Sequence, residues 1–439
     1  MSTALTKQAD VREFPVEKLR SLAPSTQAST MFNRELSLLE FHRRVLDEAL
    51  DETNPLLERL KFMAIFTANI DEFFMIRVSG LKEELEENVT DLSPDGMTPT
   101  EQLREIRECL LPMVELQGTC LTENVLPLLE DAGVSVVTPE TLSVHERASL
   151  KQYFTERVFP LLTPLAVDRS HPFPYISPLS LNLALMVDQP DEPSSDHFPK
   201  PKLESRFVRI KVPSVTPRLL PVGFSNSKFI LLEDLIEANI QSLFPGMKPG
   251  SCHRFRVTRD ADIEIREEEA EDLLVHLQRE LRKRRFGSPV RLEVSASMPQ
   301  EMRSYLLESL SLDDGDLYVA DSPLAIQDFM GLYDLDRPDL KDKPFSPTEP
   351  RWFTSSNSIF ESIKDHDRLL HHPYDSYDCV THFINEAVED PEVLAIKMCL
   401  YRTGPDSPIL PALIRAAEKG KQVTALIELK ARFDEEHNI

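Results

Sequence analysis

Soon after the first thirty positions, apolar residues begin to return at helical spacing. Leu38, Phe41, Val45, Leu46 and Leu50 fall on one face, and Ser37-Leu-Leu-Glu40 has the spacing of a capping box at its start. A second helix is predicted from Asn54-Pro55, with Asn as the cap, Pro at the first helical position, and Leu56, Leu57, Leu60, Met63, Ile65 and Phe66 as the apolar face. Asn69 interrupts that pattern ahead of Ile70, Phe73 and Phe74. An amide both donates and accepts, which suits the edge of an adenine ring, and it equally suits a cap for a helix carrying Asp71 and Glu72; from pattern alone the cap is the favoured reading. Residues 31–133 therefore read as an amino-terminal helical bundle. Residues 1–30 are polar and patternless and are expected to form a mobile tail.

The period changes after residue 133. Predicted strands at Phe207–Val212 and Arg291–Val294 mix with a predicted helix at Glu267–Lys283, so residues 134–349 read as an α+β domain. Asp188–Lys202, rich in Pro, Asp and Ser, is expected to be a surface loop, and the polar, Pro-rich stretch Asp336–Pro350 places the next boundary near residue 350. In residues 350–439, Val393–Tyr401 is a run of β-formers that reads as a buried strand. Ile409, Leu413, Ile414 and Ala417 then recur at helical spacing, with Asp406 or Ser407 as the cap and Lys419-Gly420 closing the helix, before a second strand at Val423–Ile427. Strand, helix and strand at this spacing predict a parallel βαβ crossover, whose ligands gather at the carboxyl ends of the strands. Arg402 and Arg432 follow those ends. Two guanidiniums there would form a fork suited to phosphate oxygens; the same pair would also serve in surface ion pairs with Asp406, Asp434 or Glu435. The chain stops at Ile439 within this unit, which is expected to be unfinished.

Composition narrows the function classes. At 439 residues and 41% hydrophobic, the chain can bury the cores of two or three domains. No apolar run approaches the roughly 20 residues of a membrane span, and Met1–Lys7 lacks a signal-peptide hydrophobic region, so a cytoplasmic protein without a transmembrane segment is expected. The five cysteines form no CxxC pair and are expected to be reduced and structural, which speaks against a zinc cluster or a thiol catalyst. A net charge of −25 argues against nonspecific nucleic-acid binding. Arg279, Arg282, Lys283, Arg284 and Arg285 form one dense basic cluster, read either as a solvated helix end before Gly287 or as a phosphate track. No GxxxxGK[ST] or GxGxxG word is present, which excludes a P-loop enzyme. His171-Pro-Phe-Pro174 reads as a rigid turn, and His371-His372-Pro373-Tyr374 as structural, because adjacent histidines lack the i, i+4 spacing of helical metal ligands.

Leu394-Ala-Ile-Lys-Met-Cys-Leu-Tyr-Arg402 and Glu428-Leu-Lys-Ala-Arg-Phe-Asp-Glu-Glu436 resemble the polyphosphate kinase family, which elongates long-chain polyphosphate from ATP. Arg34-Glu-Leu-Ser37, Asn54–Leu60, Asn69-Ile-Asp-Glu-Phe-Phe74, Arg77-Val-Ser79, His171–Pro174, Phe255–Asp262, Arg285–Gly287 and Leu370–Tyr374 follow the family's order, so the resemblance spans residues 31–439. It implies a multidomain α+β protein: an amino-terminal helical domain, a head domain, and the start of a phospholipase D-like α/β domain, the chain being carboxy-terminally truncated. It also implies ATP contact at Asn69 and a magnesium site at Arg402 and Arg432. Arginine has no lone pair for a metal, so these two are read as gripping phosphates that themselves carry Mg²⁺. The implied reaction is reversible transfer of the terminal phosphate of ATP to inorganic polyphosphate through a phosphohistidine in a His-x-Lys word, by a homodimer. None of the eleven histidines has lysine two residues on, so the catalytic histidines are absent and the chain is expected to be inactive alone. The alternative is a non-catalytic remnant that dimerises or binds nucleotide or polyphosphate; a phospholipase D-like hydrolase is disfavoured by the amino-terminal words.

Overall fold

The computed structural model describes residues 31–89, 91–167, 173–188, 205–223, 227–261, 287–354, 358–402, 404, 407–429, 431 and 438. Residues 1–30, the helix predicted over 267–283, the 279–285 basic cluster, His171, most of the 188–202 loop and Arg432 lie outside them. The chain forms two compact units, one from the described residues up to 342 and one from those beyond.

In the first unit the opening helix α1 spans Arg34–Leu50 and begins four residues earlier than a cap at Ser37 would place it. Asn33 is the cap: its Oδ1 accepts from the backbone N–H of Glu35 and of Leu36, both at 3.0 Å, while its Nδ2 donates to Gln102 Oε1 at 2.9 Å. The buried face is Leu36, Leu39, His42, Leu46 and Ala49, and Phe41 is 54% exposed. The predicted and the buried rows share Leu46 and lie next to each other on the helix, so the true face is rotated from the one read by spacing. Helix α2 spans Leu56–Phe73, with Pro55 before it. Asn54 does not cap it; its Nδ2 turns back to the Glu48 carbonyl at 2.8 Å. A single π-helical turn, Phe74–Val78, carries α2 into α3, Ser79–Glu86. Helix α4, Pro99–Cys120, opens with a capping box between Thr98 and Glu101. Gln117 on α4 donates through Nε2 to the Met63 carbonyl at 2.8 Å and to Thr67 Oγ1 at 2.7 Å, locking α4 to α2.

The main sheet contains β2 (Leu165–Val167), β3 (Leu181–Asp188), β4 (Arg206–Lys211), β7 (Lys248–Pro249), β8 (His253–Arg259), β9 (Pro289–Ser295) and β10 (Leu317–Ala320), in the order β10-β9-β8-β3-β4-β2, with β7 added to β3. Its pairs are antiparallel except β9 with β10. A smaller sheet joins β1 (Ser135–Val137) to β6 (Lys228–Leu231) in parallel, and β6 to β5 (Leu219–Pro221). One face of the main sheet buries Leu183, Leu185, Val208 and Ile210 with Phe154, Leu235 and Ile236. The other buries Phe207, Phe255, Val257, Leu292 and Val294 against Leu306, Leu307 and Leu310 of the helix Gln300–Leu310. A helical amino-terminal region joined to mixed sheet is thus the observed architecture.

In the second unit, β11 (Ala395–Leu400) and β12 (Gln422–Ile427) pair in parallel from Ala395↔Gln422 to Leu400↔Ile427, joined by the helix Ile409–Glu418. The predicted crossover is present, and Ser407 Oγ accepts from the Ile409 N–H at 3.4 Å. The strand expected to be buried is largely exposed: one layer of helix, through Ile384, Val388, Ala412, Leu413 and Ala416, covers one face of the pair, and Leu394 and Leu426 stay 80% and 69% exposed. Among the described residues no helix is long and apolar enough to cross a membrane.

Candidate functional site

Asn69 lies inside α2, so the cap reading is overturned: the helix that carries Asp71 and Glu72 is the same helix, already begun at Leu56. Its side chain is half-buried and has no hydrogen-bond partner among the described residues, which leaves the amide open to a ligand.

What fixes the orientation of that amide is Asp71, two residues and about 200° further around the helix. Asp71 is 3% exposed, and its carboxylate receives Arg256 Nη1 on Oδ2 and Arg256 Nη2 on Oδ1, each at 2.7 Å, while Arg291 Nη2 also bonds to Oδ1. The sheet register explains why these partners converge. Arg256 on β8 stands opposite Glu293 on β9, and Thr258 stands opposite Arg291, so all four project from one face. Glu293 Oε2 accepts from Arg256 Nε at 2.8 Å, and Thr258 Oγ1 accepts from Arg291 Nε at 3.1 Å. The Arg291 guanidinium lies 4.4 Å from the centroid of the Phe74 ring, in the π-helical turn, and that ring meets Tyr318 edge-on. Burial works against the charge of Arg256, but the carboxylates of Asp71 and Glu293 outweigh it and hold its pKa above the ordinary value. The network clamps the rotation of α2 on the sheet. The side facing away carries Asn69.

None of Asp71, Arg256, Thr258, Arg291 and Glu293 stands out in the sequence as a site. The partners of Asp71 come from strands 185 and 220 residues away. The alternation of Arg254, Arg256 and Thr258 with Phe255 and Val257 was the available signal, because charged residues at every second position of a strand need acids on a facing element.

Arg402, in the second unit, follows the carboxyl end of β11 and is exposed, its guanidinium 5.6 Å from the Tyr401 ring centroid. Its partner in the expected fork, Arg432, lies outside the described residues. A guanidinium offers only N–H donors, so Arg402 fits a phosphate and does not fit a directly ligated Mg²⁺. Among the described residues no group of three or more His, Cys, Asp or Glu side chains is placed to hold a metal ion. His371 and His372 belong to a tight turn: the His371 N–H donates to Asp375 Oδ2 at 2.7 Å, and His372 Nδ1 lies 2.9 Å from the Asp375 carbonyl. Cys252 is buried, and burial followed by the nearby Glu237 pushes its thiol up to about 12, out of the nucleophilic range.

Three family models match in order: the polyphosphate kinase N-terminal domain over residues 31–137, the middle domain over 145–332, and C-terminal domain 1 over 358–439. Polyphosphate kinase 1 of Chlorobaculum tepidum is 46% identical over 420 residues, covering 94% of this chain and 59% of that protein. The polyphosphate kinase of Mycolicibacterium gilvum is 48% identical, covering 93% and 56%, and that of Synechocystis sp. 47%, covering 93% and 58%. The crystal structure of polyphosphate kinase from Porphyromonas gingivalis superposes with a TM-score of 0.75 at 28% identity, over 92% of this chain and 56% of that one. The chain thus spans less than three fifths of the length of these relatives. With three consecutive domain models matched in order and nearly half of the aligned residues identical to curated relatives, the chain belongs to the polyphosphate kinase family.

Proposed function

We propose that this chain provides the nucleotide-contacting and part of the phosphate-gripping machinery of an ATP:polyphosphate phosphotransferase, which moves the terminal phosphate of ATP reversibly onto inorganic polyphosphate. The observation that carries this reading is the ordered match of all three domain models, together with the open amide of Asn69 on a helix whose rotation is clamped by Asp71. Asn69 reads the adenine edge, as donor and acceptor at once. Arg402, which follows the carboxyl end of β11, grips phosphate oxygens together with Arg432, and Mg²⁺ is carried by those phosphates. In phosphoryl transfer most of the rate comes from positioning and charge stabilisation, which is the work these residues are suited to. The accepting nucleophile is a histidine in the part of the family's length that this chain does not span: its nitrogen takes the phosphoryl group as the bond to ADP breaks, then yields it to the terminal oxygen of the polymer. The reading includes a division into domains at 31–133, 134–349 and 350–439, the last phospholipase D-like, and a cytoplasmic homodimer.

A binding-only role for this chain by itself is favoured by one observation, that no histidine here is followed two residues later by lysine. Labelled ATP separates the two. The chain alone is expected to bind ATP without acquiring an acid-labile, base-stable phosphate, whereas a complete enzyme becomes labelled. In that complete enzyme, Arg402→Lys is expected to lower kcat/KM at least tenfold with no change in melting temperature, since the side chain is exposed. Unchanged turnover in Arg402→Lys would remove the phosphate-gripping role.

A further inference from the structure

Of the five arginines buried among the described residues of the first unit, Arg256 and Arg291 pair with Asp71, and the half-buried Arg218 and Arg254 pair with Glu233 and Asp234. Like Arg59 and Arg259, Arg209 has no carboxylate partner among the described residues. It is 6% exposed on β4, and its one acceptor among the described residues is neutral, Asn182 Oδ1 at 2.7 Å from Nε. The β3–β4 register places Asn182 opposite Lys211 and Ala184 opposite Arg209, so both cations stand on the same sheet face. Lys211 Nζ also bonds to a neutral group, Ser177 Oγ at 2.8 Å. The two cations are connected by a chain of hydroxyls and amides: Asn182 Nδ2 donates to Ser180 Oγ at 3.2 Å and to the Ser180 carbonyl at 2.7 Å, and Ser177 Oγ lies 3.4 Å from Ser180 Oγ.

Two like charges side by side, one of them buried and neither paired with an acid among the described residues, cost free energy that an acid ordinarily offsets. Burial depresses the pKa of both, and the neighbouring Arg209 depresses that of Lys211 further. Other buried arginines without acids have different compensation. Arg59 donates to the Ala49 carbonyl at the carboxyl end of α1, where the helix dipole favours a cation. Arg259 spends Nε on the Ile176 carbonyl and Nη1 on the Gly287 carbonyl, and faces the Tyr175 ring at 4.3 Å. Arg259 thereby also holds the segment that presents Ser177 and Ser180, within which Leu179 is kept at φ 56° while its N–H donates to Val257 O at 2.8 Å. Lys211 and Ser180 line a cavity of about 630 Å³ that also takes in Ser214, Thr216 and Arg218; of its two acidic residues, Asp328 is paired with Arg218.

We propose that Arg209, Lys211, Ser177 and Ser180 form an oxyanion site that takes a phosphoryl group at the edge of this cavity. A guanidinium with unspent donors, an ammonium and two hydroxyls, arriving from a strand and a loop, suit a tetrahedral anion with several acceptor oxygens better than a planar carboxylate. The anion is either free orthophosphate or one residue of a condensed phosphate chain. Neither Asn69 nor Arg402 takes part, so the site stands or falls apart from the nucleotide reading.

The test compares the wild-type chain with Lys211→Met and Arg209→Met at constant ionic strength, titrating orthophosphate, tripolyphosphate and long-chain polyphosphate by calorimetry and by thermal shift. Wild type is expected to be stabilised by at least one of the three, and Lys211→Met to lose that stabilisation and bind at least tenfold more weakly. Saturation by orthophosphate would identify the free anion, and a response confined to the longer species would identify the chain; both support the site. Lys211 is only half-buried, so if Arg209→Met fails to fold, Lys211→Met with Ser177→Ala decides. Affinities within twofold of wild type in Lys211→Met, or no phosphate response in wild type, would overturn the proposal.

Discussion

Replacing Asp71 by Asn removes one negative charge from the centre of the first unit while leaving the side-chain volume almost unchanged. The carboxylate accepts two hydrogen bonds from Arg256 and one from Arg291, which are 0% and 2% exposed. Without it, both guanidiniums depend on Glu293, whose Oε2 lies 2.6 Å from Arg256 Nη2 and 3.0 Å from Arg291 Nη2. Two cations would then share one anion away from water, and the introduced amide would turn N–H donors toward N–H donors. Removing one partner of a buried pair costs about 3–5 kcal/mol, most of it the uncompensated charge left behind. For a cooperative unit of roughly 300 residues, an unfolding entropy of about 2.1 cal/mol/K per residue turns this into a melting-temperature drop of about 5–8 °C. Differential scanning calorimetry measures the drop, and on the proposed nucleotide role of Asn69 ATP binding should weaken in parallel, because α2 loses its clamp on the sheet. A triple change, Asp71→Leu with Arg256→Met and Arg291→Met, removes all the stranded charge but Glu293 and should recover much of the loss. A cost below about 1 kcal/mol for Asp71→Asn would refute the reasoning, since it would mean that water or another anion reaches the guanidiniums.

Two further outcomes follow from the helical region. His42, 5% exposed and set between Phe41 and Phe73, has its pKa lowered by burial from 6.5 to about 4, so the folded state holds it neutral. The unfolded chain therefore binds the extra proton, and the stability contributed by neutral His42 is complete above about pH 6.5 and is lost as the pH falls toward 4, by on the order of 3 kcal/mol in all. Against wild type, His42→Leu should gain about 2 kcal/mol between pH 7.5 and pH 5 in denaturant titrations; an equal slope in both proteins would show that His42 is protonated in the fold. Asn33→Ala removes a cap that serves two N–H groups and leaves Gln102 without its donor, so a loss of about 1–2 kcal/mol is expected, with the amides of Glu35 and Leu36 exchanging faster with solvent; unchanged exchange would show that the cap is dispensable.

The helices at 34–50 and 56–73 and the crossover from β11 to β12 could be read before any coordinates, because each is encoded by contacts a few residues apart: apolar residues every three or four positions, a cap before them, and a strand-forming run on either side of a closing Lys419-Gly420. Even there, orientation was less accessible than existence. The face of α1 was misassigned toward Phe41, and β11 was read as buried, since an apolar run is compatible with cover on one face or two. A nucleotide role for Asn69 is proposed from family resemblance, while pattern pointed to a cap, because an interruption in helical spacing looks the same whether the helix restarts or continues through a polar position.

Local chemistry along the chain thus settled which segments become helix or strand and which family they serve, since periodicity, caps and short words act over neighbouring residues. Partnership was decided only by the folded sheet. Nothing near residue 71 in the sequence says that its carboxylate is buried, and nothing near residue 209 says that its guanidinium meets an amide; antiparallel register brought Arg256 and Arg291 under Asp71, and placed Arg209 and Lys211 side by side with, among the described residues, amide and hydroxyl partners. The energy of a charge depends on what surrounds it in space, and those surroundings are assembled from strands and loops far apart in the chain.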